Sequence, residues 1–199
     1  MIIIPEIETV VILVPKCAST SLKTAIRERY PLSFMPYRHM EADGIPFGYQ
    51  DWCKIGVVRK PIERLWSLYC YLRDLEDAPN WAPGRAERMR ASVQMPFHEW
   101  VHVNDTVFAQ PDDHVSGRHY PFYSVRHKLP ENRKSQYVYL RPDLGTIVLR
   151  HGDTLSLEDH LNITLPHLNR SKDANRPEFE VRGALRDIFE WDAVTAGGW

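Results

Sequence analysis

The sequence predicts an α/β fold, a single domain over residues 1–199 with a central parallel sheet flanked by helices. Three observations point there. Short runs of β-branched and aliphatic residues recur at Ile2–Ile4, Thr9–Val14, Trp52–Val58, Tyr137–Leu140 and Thr146–Leu149. The segments between several of these runs carry apolar residues at helical spacing, and strands alternating with helices imply parallel pairing under helical layers. Finally, Thr9–Val14 and Trp52–Val58 each lead directly into a helix start, and open α/β sheets bind ligands at the carboxyl ends of such strands.

The elements follow in order. Ile2–Ile4 and Thr9–Val14 flank a turn at Pro5-Glu6. Leu22, Ala25, Ile26 and Arg29–Tyr30 keep helical spacing until Pro31 stops it. After Trp52–Val58, Pro61 suits the first helical position, where its missing N–H costs nothing. Ile62, Leu65, Trp66, Tyr69 and Leu72 make the buried stripe of that helix, and Arg64 faces another side. Residues 76–135, rich in Pro, His, Arg and Trp, read as an irregular insertion over a ligand site, with Asn80–Trp100 as a helical lid. Ser156 is placed to cap a short helix ending at Leu161, and Val181–Trp191 reads as a closing amphipathic helix.

Bulk composition narrows the function classes. A chain of 199 residues can bury a real core. With 26% charged residues, 43% hydrophobic residues and a net charge of −1, disorder and general nucleic-acid binding are disfavoured. Apolar runs stay far short of the roughly 18–20 residues of a membrane span. Pro5, Glu6 and Glu8 interrupt any secretory signal, and Cys17, Cys53 and Cys70 cannot all pair. We therefore expect free thiols and a cytoplasmic protein. Oligomeric state has no signature in the sequence.

Two strand–helix junctions carry the chemistry. In "PKCASTS", Lys16 precedes Cys17, Ala18, Ser19, Thr20 and Ser21. Exposed N–H groups at a helix start, the helix dipole, one lysine and three hydroxyls favour an anion. The ATP-binding pattern G-x-x-x-x-G-K-[ST] is absent. A lysine at a strand end followed by a Ser/Thr helix cap is the simpler reading. In "VVRKPIERLWSLYCYLR", Arg59 ends a strand beside a helix start and Ser67 lies two turns into the helix. Two basic strand ends suggest a ligand with two separated anionic groups.

Together these motifs resemble those of sulfotransferases that use 3′-phosphoadenosine 5′-phosphosulfate (PAPS). "VPKCASTSL" is similar to their 5′-phosphosulfate loop, and the second junction to their 3′-phosphate motif R-x-P-x-x-R-x-x-S-x-Y. The flavour is that of carbohydrate sulfotransferases of the heparan-sulfate 2-O and chondroitin types. "QYVYL", "LPHLNRSKD" and "VRGALRDIFEWDAV" resemble later segments of those enzymes in the same order. The resemblance implies a sulfotransferase fold related to P-loop nucleotide kinases. It implies that Lys16 contacts the phosphosulfate, that the loop from Cys17 to Ser21 holds the 5′-phosphate, and that Arg59 and Ser67 hold the 3′-phosphate, with Asn169 and Ser171 as further nucleotide contacts. Many relatives have glycine where this chain has Ala18.

Sulfuryl transfer to a hydroxyl needs a base for the acceptor proton, and neutral histidine is suited to that. His39 lies between the two phosphate motifs, where 2-O-type relatives carry their catalytic histidine. Glu41 is the alternative base, and His119 and His127 are further candidates. Arg118, Arg126, Lys128, Arg133 and Lys134, among aromatics in residues 117–136, form a candidate acceptor surface for a glycan or another hydroxyl-bearing molecule. No metal-ligand spacing appears, so no metal is expected. Two competing readings are a nucleotide-dependent kinase on a related fold and a silent anion-binding module that needs no base.

Overall fold

The computed structural model describes residues 1–36, 38–76, 84–103, 133–166, 181 and 183–199, without the side chains at 85, 88 and 154. A four-stranded sheet has the order β1 (Ile2–Ile4), β2 (Thr9–Ile12), β3 (Cys53–Val58), β4 (Ile147–Arg150). β2, β3 and β4 are mutually parallel, with Val11 opposite Ile55 and Ile55 opposite Ile147. β1 runs antiparallel to β2, so the sheet is mixed rather than wholly parallel. The reason is local: the 3-10 turn Pro5–Ile7 and the left-handed Glu8 (φ 47°) return the chain beside itself, too tightly for a crossover.

Seven α-helices are described: α1 (Ser19–Arg29), α2 (Pro61–Arg73), α3 (Arg85–Ala91), α4 (Phe97–Val103), α5 (Gln136–Leu140), α6 (Thr154–Leu161) and α7 (Ala184–Ala196). α1 stops at Tyr30 before Pro31, and α2 begins on Pro61, both as the sequence dictates. The Tyr137–Leu140 run is a helix, not a strand. Its N-cap Ser135 accepts from the Tyr137 N–H, and the buried Asp192 carboxylate accepts from the Gln136 N–H. α6 is capped by Asp153, whose carboxylate accepts the Ser156 N–H, so Ser156 is inside the helix. The closing helix starts later and extends further than its apolar pattern indicated. The insertion at 76–135 includes two short helices, α3 and α4; residues 104–132 lie outside the described residues.

Two apolar clusters form. One joins β1–β3 to Leu22, Ala25 and Ile26 of α1 and to Tyr139 and Leu140 of α5. A Cβ at Gly56 in β3 would meet the end of the Leu140 side chain, which would have to shift. The other joins Ile62, Leu65 and Trp66 of α2 to Phe97 and Trp100 of α4 and Leu185 and Phe189 of α7. α2 is therefore buried on more than one side. Arg64 is fully buried, donating from Nη2 to the Lys134 carbonyl at 2.9 Å with its guanidinium 5.8 Å from the Phe189 ring centre.

Candidate functional site

The loop after β2 is strained. Lys16 (φ 66°) and Ala18 (φ 58°) both take the left-handed conformation, which costs a non-glycine residue about 1–2 kcal/mol. Ala18 is the N-cap of α1, and no side chain caps that end. The first helical hydrogen bond runs from Leu22 N–H to the Ala18 carbonyl at 3.0 Å. The N–H groups of Ser19, Thr20 and Ser21 precede it, at the positive end of an eleven-residue helix.

The junction after β3 is braced by one side chain. Gln136 accepts the Arg59 N–H on Oε1 (2.8 Å) and donates from Nε2 to the Arg59 carbonyl (2.7 Å). The same Oε1 accepts from Cys17 Sγ at 3.2 Å. Gln136 is held in turn by Asp192 of α7, which accepts from its backbone N–H (2.8 Å), its Nε2 (3.1 Å) and Ser135 Oγ (2.5 Å). Burial raises the proton affinity of Asp192 against these donors. Burial likewise pushes the Cys17 thiol up to about 12, which makes it a structural donor rather than a nucleophile.

Glu63, Ser67 and Tyr71 recur every four residues along α2, and Arg59 stands just ahead of that helix, four residues before Glu63. Arg59 Nε lies 3.4 Å from Glu63 Oε2. At the far end of this row, Lys16 Nζ sits 4.2 Å from the Tyr71 ring centre. Lys16 and Arg59 are thus near enough for their charges to interact, and Ser67 lies one turn before Tyr71 on the helix. Burial first, then the nearby Arg38 and Arg59 charges, lower the Lys16 ammonium to about 8.

His39 is buried, with 2% of its surface exposed. Its Nδ1 stands 2.8 Å from the Leu13 carbonyl, an acceptor only, so the neutral ring carries its proton on Nδ1 and Nε2 is the basic nitrogen. Burial, reinforced by Arg38, holds its proton affinity well below the ordinary value. Glu41 is differently placed. It and Lys134 are each 1% exposed and form an ion pair at 2.5 Å, with Lys134 Nζ 4.0 Å from the Tyr139 ring centre. Lys134 is thus no part of a solvated acceptor surface, which corrects the sequence reading. A partner distant in the chain draws it inside. Arg133 is exposed.

Three residues escaped the sequence reading. Arg38 donates from Nη2 to Thr20 Oγ1 at 3.4 Å; it directly precedes His39, which was the one signal. Gln136 and Asp192 lie in quoted segments, but their pairing spans 56 residues and has no local signature. Arg118, His119, Arg126, His127, Lys128, Asn169 and Ser171 lie outside the described residues.

Among the described residues no three His, Cys, Asp or Glu side chains gather as a metal cage, and no helix is long and apolar enough to cross a membrane. No family model, no curated protein and no solved structure matches the chain.

Proposed function

We propose that this chain is a sulfotransferase that moves a sulfuryl group from PAPS to a carbohydrate hydroxyl. The observation that carries the reading is the arrangement along α2: Arg59 pairs with Glu63 at its start, Ser67 lies one turn further on, and Lys16 is held over Tyr71 one turn beyond that. Two anion-seeking ends on one surface, at the carboxyl edge of parallel strands, suit a nucleotide with phosphate at both ends. Lys16, Arg38 and Arg59 also lie close enough together to perturb the Lys16 ammonium. Such a concentration of positive charge fits a multiply charged anion.

PAPS supplies an activated sulfuryl group and a phosphate leaving group. Lys16 and the N–H groups of Ser19, Thr20 and Ser21 hold the 5′ end and take up the charge that develops there. Arg59 and Ser67 hold the 3′ end, which fixes the nucleotide's direction. His39 accepts the acceptor's proton on Nε2, while Leu13 fixes its tautomer. Glu41 is committed to Lys134, which favours His39 over it as base. The carbohydrate acceptor rests on the sequence resemblance.

The test is nucleotide binding read by thermal melting. Adenosine 3′,5′-bisphosphate at about 100 times its dissociation constant should add roughly 2.7 kcal/mol, and ATP much less. Equal stabilisation by ATP, with no preference for the 3′-phosphate, would return the protein to the kinase class.

A further inference from the structure

Arg38 has an unexplained edge. Its Nε–H and Nη2–H form one side of the planar guanidinium, the side suited to gripping oxyanions in pairs. Among the described residues Nη2 makes only the long 3.4 Å contact to Thr20 Oγ1. Nε is buried and has no hydrogen-bond partner among the described residues. A buried donor on a permanent cation calls for an acceptor. The nearby carboxylates do not supply it: Glu41 is paired with Lys134, and Glu63 faces Arg59. The guanidinium is also crowded by like charge, since it depresses the proton affinities of Lys16, Lys23 and His39. An arrangement that gathers cations without a carboxylate is costly unless an anion joins them. The contact to Thr20 directs this edge toward the uncapped first turn of α1.

We propose that Arg38 is an anion ligand whose Nε/Nη2 edge takes an oxygen of the 5′-phosphate at the first turn of α1, beside the Thr20 hydroxyl. The nucleotide part of this statement rests on the sulfotransferase reading. The phosphate part stands on the guanidinium edge itself. Arg38 then separates the two ends of the ligand: it reads the 5′ group, and Arg59 reads the 3′ group.

Calorimetric titration with three probes tests this: adenosine 3′,5′-bisphosphate, adenosine 3′-monophosphate and inorganic pyrophosphate. Arg38→Ala should weaken the bisphosphate and pyrophosphate about 10- to 100-fold, the factor for a lost charge-assisted contact. It should leave the 3′-monophosphate within about twofold of wild type. Arg38→Lys keeps the charge but not the fork. It should restore only part of the loss, and it replaces the alanine variant if that one melts before titration. Arg59→Ala should weaken both nucleotides and spare pyrophosphate. Unchanged bisphosphate and pyrophosphate affinity in Arg38→Ala overturns the proposal and leaves the sulfotransferase reading standing. Arg38-dependent pyrophosphate binding with no 3′-phosphate preference in wild type does the opposite. A wild type that binds none of the three overturns both.

Discussion

Lys16→Met should make the protein more stable while making it unable to hold its ligand. The ammonium is lowered from an ordinary 10.5 to about 8, chiefly because it is taken out of water and secondarily because Arg38 and Arg59 repel it. At roughly 1.4 kcal/mol per tenfold change in proton affinity, that is a penalty on the order of 3 kcal/mol carried by the charged side chain in the folded state. The Tyr71 ring, 4.2 Å from Nζ, returns about 0.5–1 kcal/mol that methionine would forgo. The net expectation is a gain of about 2 kcal/mol at pH 7, or roughly 4–8 °C in Tm for a chain of this size. The pH dependence is the sharper signature. Below about pH 8 both folded and unfolded states keep the proton, and the penalty is full. Between about 8 and 10.5 the folded state has released the proton and the unfolded state has not, so wild type gains stability relative to the variant as pH rises. Urea unfolding of both proteins at pH 7 and pH 10 should show the advantage shrinking to a few tenths of a kcal/mol. Anion binding by wild type should also weaken as pH climbs through about 8, because the ammonium is lost. A variant less stable than wild type at pH 7, or an advantage that ignores pH, would refute the picture of a desolvated cation waiting for an anion.

The remaining predictions concern the neighbouring groups. Glu41→Gln should cost about 3–5 kcal/mol by leaving Lys134 charged and buried, and adding Lys134→Met should recover most of it; urea denaturation of the single and double variants measures both. His39→Ala should cut turnover of an identified acceptor by about 10²–10⁴-fold with little change in nucleotide affinity. The acidic limb of the wild-type rate profile should fall well below pH 6.5, because burial keeps the imidazole neutral, and a limb at the ordinary histidine value would count against this. Acidification below pH 6.5 should also cost wild type stability, since the unfolded state then takes a proton that the folded His39 refuses. Ala18→Gly should stabilise the fold by up to about 1.5 kcal/mol, the left-handed strain of about 1–2 kcal/mol less the roughly 0.5–1 kcal/mol entropy of glycine, read as a rise in Tm.

What the sequence made legible was local. The stop at Pro31, the start at Pro61 and the strand–loop–helix order around Lys16 each depend on residues within one or two turns, and the structure has them as expected, although no Ser or Thr side chain caps α1. What stayed hidden depends on partners far along the chain. Gln136–Leu140 has the aromatic and β-branched content of a strand, yet it coils because Asp192, 56 residues away, takes the N–H at its start. Lys134 sits in a basic run that reads as solvated, yet it is buried because Glu41, 93 residues earlier, meets it. The same pair decides how Glu41 is seen. As a letter it competes with His39 for the role of base, and only its burial against a cation separates them.

The brace at Gln136 explains how the fold can hold so many unfavourable features in one place. The site combines two left-handed non-glycine residues, an uncapped helix start and a lysine depressed by burial. Each would relax if its backbone could move, and features of this kind persist only where the surroundings over-determine them. Gln136 supplies that over-determination. One amide grips both backbone groups of Arg59 and takes the Cys17 thiol, so the loop after β2 and the junction after β3 cannot drift independently. Asp192 fixes the amide from α7, and α7 is anchored by Phe189 in the apolar cluster it shares with α2. The positions of Lys16 and Arg59 are therefore set by packing well away from the proposed ligand surface. Rigid placement of charges before the ligand arrives is what electrostatic catalysis requires, because no reorganisation then remains to be done during the reaction.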